Sequence, residues 1–126
     1  MPSKSDQINS EDSLQFISSG RSMLPTFKPG QLLYIKPGIS DVREGDILVF
    51  QQEGQAEHVA HRVQAVLPTG FITQGDNNRF KDPIPVPPSA VVGRVEGVRL
   101  KDGNIRPVWG GNRGVIWSKL LQLLQL

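Results

Sequence analysis

Glycine and proline punctuate this chain at short, regular intervals. Pro29-Gly30, Pro37-Gly38, Glu44-Gly45-Asp46, Gly54, Gly70, Gly75-Asp76-Asn77-Asn78 and Asp102-Gly103 recur between apolar runs. Each is a turn signal with a conformational cause, since Gly reaches positive φ and Pro fixes φ while removing a donor. The segments between them, residues 14–17, 31–36, 47–50, 57–66, 71–74, 90–100 and 105–108, have strand length and no helical period. Punctuation at this spacing predicts a mainly β domain, a small antiparallel β-barrel or coiled sheet. Gly93 and Gly97 fall inside the sixth run and mark bends or bulges. Between residues 82 and 89 lie Pro83, Pro85, Pro87 and Pro88, so that stretch is expected as an extended surface loop.

The ends differ from this pattern. Residues 1–13 are polar and Ser/Asp-rich, with little to bury, and are expected as a disordered tail. The β domain is expected over residues 14–108, and residues 109–126 form a C-terminal amphipathic helical segment. Its helix, from Gly114, has Ser118, Gln122 and Gln125 on one narrow stripe and Leu or aromatic residues nearly everywhere else. It is too short to cross a bilayer, so it is expected to pack over an open end of the β domain or against a second chain. A peripheral membrane contact through residues 117–126 stays open as well, because Trp109, Trp117 and Lys119 suit an interface. Packing on protein is the favoured role.

Composition excludes several chemistries. The chain has 14 Lys+Arg and 12 Asp+Glu, a net charge of +2, without a basic run or interleaved aromatics, so no nucleic-acid partner is expected. With no cysteine there are no disulfides, thiolate metal sites or cysteine nucleophiles. Two histidines, His58 and His61, are too few for a His-rich cage, and neither a metal nor a cofactor is expected. No stretch reads as a signal peptide or membrane span, so the chain is expected to be soluble or peripheral, with the cytoplasm favoured. The oligomeric state is not legible.

Three polar positions could carry chemistry. Ser22 stands between the flexible Gly20 and the rigid Leu24-Pro25, a setting that can hold a hydroxyl at a strand end facing a cleft, although Ser near Gly and Pro is commonly an ordinary turn residue. In Glu57-His58-Val59-Ala60-His61-Arg62-Val63, strand alternation separates the histidines. His61 shares a face with Val59 and Val63, a setting for a neutral base or for a plain core histidine. His58 shares the more polar face with Ala60 and Arg62 and reads as solvated. Asp82 is held extended by Pro83 and could orient His61, while Asp76 could instead do so or simply hold the Gly75-Asp76-Asn77-Asn78 turn.

Five blocks then fall in a familiar order: Ser22-Met23-Leu24-Pro25-Thr26, Gly45-Asp46-Ile47-Leu48-Val49-Phe50, His61-Arg62-Val63, Thr73-Gln74-Gly75-Asp76-Asn77-Asn78 with Asp82, and Val92-Gly93-Arg94-Val95. Over about residues 14–100 the chain resembles the signal peptidase I superfamily. It looks like the archaeal and endoplasmic-reticulum branch, in which histidine occupies the position of the bacterial lysine. The resemblance implies Ser22 as nucleophile, His61 as general base and Asp82 as the orienting acid, with Asp76 as the alternative acid. It also implies an oxyanion and substrate cleft about Gly20, Arg21 and Met23, with the Ser22 N–H as one oxyanion donor. Many members carry serine at the Gly20 position and glycine at the Arg21 position, and the family is normally membrane-anchored.

The expected function is therefore a serine endopeptidase that trims a leader or propeptide after small residues, with a peptide or preprotein as partner. A repressor-type self-cleaving domain shares this fold but needs a lysine base and a DNA-binding domain. The alternative from another class is a catalytically silent module holding an extended peptide in the same cleft by strand addition.

Overall fold

A computed structural model describes residues 14–125; the expected tail over residues 1–13 lies outside the described residues. The punctuated runs become seven strands: β1 (Leu14–Ile17), β2 (Leu32–Pro37), β3 (Ile47–Gln51), β4 (His58–Leu67), β5 (Gly70–Gln74), β6 (Val91–Arg99) and β7 (Ile105–Pro107). One helix follows, α1 (Gly111–Leu124). All strand pairs are antiparallel and build a single sheet in the order β1-β2-β6-β3-β4-β5, with β7 added to β6. Among the described residues the end strands β1 and β5 do not pair, so the sheet is coiled and open. This is the mainly β fold with a C-terminal helix that the turn spacing predicts.

The bends fall beside the expected glycines. Along β6, register against β2 skips Glu96 next to Gly97, and register against β3 skips Val92 next to Gly93. One extra residue on one strand increases local twist, which is how a short sheet curls round a core. The uninterrupted apolar run of β3 is buried on both faces. Ile47 and Val49 pack with Leu33, Ile35 and Val95, while Leu48 and Phe50 pack with Val63, Phe71 and Val86. Val86 belongs to the proline-rich loop, which is pinned to the sheet by two backbone hydrogen bonds with Phe71 at 2.9 and 2.8 Å. That anchorage holds the loop's first residue, Asp82, against β5.

Helix α1 begins at Gly111, earlier than Gly114. Its N-cap, Gly110, has no side chain, and Asp46 supplies the missing acceptor by taking the Gly111 N–H at 2.8 Å. The helix then approaches the β2–β3 turn closely. A Cβ on Gly114 would stand 2.2 Å from the Gly45 carbonyl oxygen, so only glycine fits there. The helix packs on the domain chiefly through small residues rather than through its leucines. Gly111, Gly114, Ser118 and Leu121 are buried, whereas Ile116, Leu120, Leu123 and Leu124 face outward. Close approach selects small residues, and the polar groups beneath need partners. Trp117 Nε1 donates to Thr26 Oγ1 at 2.9 Å, and Gln125 Nε2 donates to the Asp76 carbonyl at 3.0 Å.

Candidate active site

The turn after β1 holds Ser22 through its neighbours rather than through the serine itself. Met23 and Phe27 are buried in the larger apolar cluster, which sinks the turn on one side of the serine. The Thr26 N–H donates to the Met23 carbonyl at 2.8 Å, and the Ser18 hydroxyl donates to the Lys28 carbonyl at 2.5 Å. The Leu24–Pro25 peptide is cis. From the other side the loop after β5 grips the same turn. The Asn77 N–H donates to the Ser22 carbonyl at 2.7 Å, and Asn77 Nδ2 donates to the Arg21 carbonyl at 3.1 Å.

Strand β4 carries His61 to this turn. The imidazole is largely buried and meets Phe50 edge-on, with centroids 6.2 Å apart at 75°. His61 Nδ1 lies 2.6 Å from Asp82 Oδ2, and Nε2 lies 2.9 Å from Ser22 Oγ. A carboxylate only accepts, so the proton sits on Nδ1 and the Nε2 lone pair is left for the serine hydroxyl. Asp82 is fixed in turn. Its N–H donates to the Thr73 carbonyl at 2.7 Å, and Thr73 Oγ1 donates to Oδ2 at 2.7 Å. The chain Thr73–Asp82–His61–Ser22 can draw a proton from a hydroxyl and hold the resulting imidazolium against a carboxylate.

Beside Ser22 and His61 opens a cleft of about 170 Å³. Phe16, Gly20, Met23, Phe27 and Ala60 line its apolar part, and His58 and Glu57 stand at its polar end. The edge strand β1 runs along it, with one side unpaired among the described residues. Four larger concavities lie elsewhere, near Arg43, Arg94 and Arg113, between Phe80 and Leu123, beside Thr26 and Trp117, and beside Lys28 and Lys101. None of their linings pairs a hydroxyl or thiol with an imidazole or a lysine amine.

Comparison with known proteins gives the family of the chain. The peptidase S24-like family model matches residues 2–96. The chain belongs to the peptidase S24-like family. Signal peptidase I W of Bacillus subtilis (strain 168) is 36% identical over 94 residues, covering 69% of this chain and 48% of that protein. The signal peptidase complex catalytic subunit SEC11C of Homo sapiens is 38% identical over 79 residues, 58% of this chain and 41% of that protein. The sec11 catalytic subunit of Dictyostelium discoideum is 35% identical over 78 residues, 58% of this chain and 43% of that protein. The chain thus spans less than half the length of these curated relatives. No solved structure gives a significant match. The S24-like match together with these relatives bears out the resemblance to the signal peptidase I superfamily.

Within this S24-like chain the expected residues are distributed unequally. Ser22, His61 and Asp82 converge, and Gly20 and Met23 line the cleft. Arg21 is exposed and is not among the residues that line the cleft. Asp76 does not reach His61. Its carboxylate takes Arg62 Nε at 2.9 Å and Nη2 at 2.8 Å, and it accepts the Thr26 hydroxyl at 2.5 Å. Neither side chain of this ion pair has any exposure. His58 is exposed as expected, but Arg62, on the face read as more polar, is fully buried. The guanidinium is satisfied there by Asp76 and by the carbonyls of Gly45 and Trp109 at 2.7 and 2.6 Å.

Three supporting residues had no role assigned from sequence. Thr73 orients Asp82, Thr26 bridges Asp76 to Trp117, and Arg62 joins the serine-gripping loop to the start of α1. Thr73, near the end of β5, and Asp76, just beyond it, stand in one block, Thr73-Gln74-Gly75-Asp76, but turn chemistry alone accounts for that block equally well.

Proposed function

We propose that the chain is a serine-type endopeptidase that cleaves a leader or propeptide by Ser-His-Asp acyl transfer. The observation that carries the proposal is the pair of contacts on opposite nitrogens of one imidazole, 2.6 Å to Asp82 and 2.9 Å to Ser22. A core histidine needs only satisfied nitrogens; this one has its free lone pair directed at a hydroxyl beside a cleft. Membership of a peptidase family and the names of the relatives agree with it.

In this mechanism Ser22 Oγ attacks the scissile carbonyl while its proton moves to His61 Nε2. The tetrahedral oxyanion is met by the Ser22 N–H, since side-chain help from Gly20 is impossible. Asp82 holds the imidazolium, which then gives its proton to the leaving amine, and water repeats the sequence to release the acyl group. The peptide lies extended against β1 and β4, and the small volume of the cleft suits small side chains next to the cut. The base is an imidazole rather than a lysine amine, which sets the chain apart from the repressor-type self-cleaving reading.

Mass-spectrometric digestion of a diverse peptide library, with wild type and Ser22→Ala in parallel, tests the proposal. Cuts made by wild type and absent from the variant establish the endopeptidase and read out its preference. Cleavage by Ser22→Ala at the wild-type rate refutes the mechanism. Peptide capture without cleavage, unchanged by His61→Ala, assigns the cleft to a binding module.

A further inference from the structure

Helix α1 turns Gly111, Gly114, Ser118 and Leu121 to the protein and its other three leucines to solvent, an arrangement that a helix serving only as a cap does not need. Ile116, Leu120, Leu123 and Leu124 are spaced at i, i+4, i+7 and i+8, one continuous stripe, and are 61%, 52%, 63% and 82% exposed. Phe80, 80% exposed on the loop after β5, continues the stripe across an open groove that it lines together with Leu123. The two elements are tied together, because Gln125 donates to the Asp76 carbonyl and Arg79 Nη2 reaches the Gln125 carbonyl at 3.4 Å. A contiguous apolar surface of this kind on a small protein marks an interaction face.

Charge identifies the occupant. Arg79, Lys81, Arg113 and Lys119 are all exposed around the apolar stripe. On α1 and residues 77–84 the single acid is Asp82, which is engaged by His61 and Thr73. Four exposed cations around protruding Leu and Phe side chains complement an anionic lipid surface, where apolar groups enter the headgroup–acyl boundary and cations stay among phosphates. A twofold pairing of two copies through this face would instead set cations against the same cations. A helix of 14 residues lies along such a surface rather than across it, and among the described residues no helix is long and apolar enough to cross a membrane.

We infer that the outer face of α1, with Phe80, docks the chain onto anionic bilayers. The face is separate from the cleft, and the inference stands whether or not Ser22 is a nucleophile. Phe80 lies two residues from Asp82 in the chain, so a docked bilayer would lie beside the loop that supplies the orienting carboxylate.

The test is sedimentation of the full chain with vesicles of phosphatidylcholine, alone or mixed with phosphatidylglycerol. Wild type is expected to sediment with the mixed vesicles, less with the neutral ones, and less at high salt. Leu120→Gln/Leu123→Gln should lower the binding constant by at least about tenfold, from the apolar burial lost. Lys81→Glu/Lys119→Glu should lower it by at least about tenfold and remove the preference for the anionic lipid. All four positions are exposed, and circular dichroism checks that each variant keeps the wild-type fold. Absence of wild type from the mixed-vesicle pellet overturns the inference, as does equal binding by folded variants. A concentration-dependent dimer that Leu120→Gln/Leu123→Gln abolishes, without vesicle binding, gives the face to a second copy.

Discussion

Gly75 lies against the backbone of Ser22 so closely that no side chain fits between them: a Cβ on Gly75 would stand 2.6 Å from the Ser22 carbonyl oxygen and 3.0 Å from the Ser22 Cβ. Both contacts are to the residue that bears the hydroxyl. The glycine is therefore a spacing device, setting how near the loop after β5 can bring Asp76 and Asn77 to the serine turn.

Gly75→Ala should consequently damage catalysis more than folding. The added methyl must push Ser22 or the loop outward by several tenths of an ångström, which lengthens the 2.9 Å contact with His61. Misplacement of a reacting group by about 1 Å can cost on the order of 10²-fold. The expected result is a fall in kcat of about tenfold or more, with KM less affected. Stopped peptide assays alongside denaturant unfolding check it; equal loss of stability and activity would mean the fold, not the spacing, had failed.

Asp82→Asn should separate orientation from charge. The amide can present its oxygen to the Nδ1 proton or donate its NH2 to Nδ1 of the other tautomer, which takes the Nε2 lone pair from the serine, and in neither case does it offer a negative charge to an imidazolium. The equivalent loss in serine triads costs on the order of 10⁴ in kcat. A residual rate above that of Ser22→Ala is expected, because the nucleophile remains. If Asp82→Asn were fully active, the imidazole would be working without its carboxylate and the relay would be wrong.

Thr73→Val tests the next link. Valine keeps the shape of the buried threonine and removes the hydroxyl that donates to Asp82 Oδ2. A hydrogen bond to a charged group is worth about 1.5–3 kcal/mol, so the kcat loss should lie between about tenfold and about 10²-fold. Thr73→Ser should restore most of it. Rescue by serine distinguishes the positioning role from simple core packing, which serine would worsen.

Much of this site was legible because turn residues and strand alternation are local properties. Gly and Pro around Ser22, the odd spacing of His58 and His61, and Pro83 after Asp82 each restrict their own neighbourhood. What sits opposite a face is not a local property. Alternation put Ala60 and Arg62 on one side of β4 but could not say that Asp76 and the carbonyls of Gly45 and Trp109 would cover Arg62. The packing face of the helix is hidden for a related reason. It is the stripe of small residues, Gly111, Gly114 and Ser118, whose value depends on the backbone they approach.

The buried pair of Arg62 and Asp76 gives the sharpest energetic prediction. Arg62→Met strands the Asp76 carboxylate in a site with no exposure, where among the described residues only the Thr26 side chain still donates to it. Breaking such a pair from one side costs about 3–5 kcal/mol, because the remaining charge has been desolvated without compensation. Asp76→Asn strands the guanidinium instead, although the carbonyls of Gly45 and Trp109 still accept from Nη1, so its cost should be smaller. In the double variant neither charge is left alone, and the two costs should not add. A non-additivity of about 1–3 kcal/mol is expected from denaturant unfolding of all four proteins. Additive costs would mean that each residue is held by its other partners, and that the ion pair does not couple the serine turn to α1.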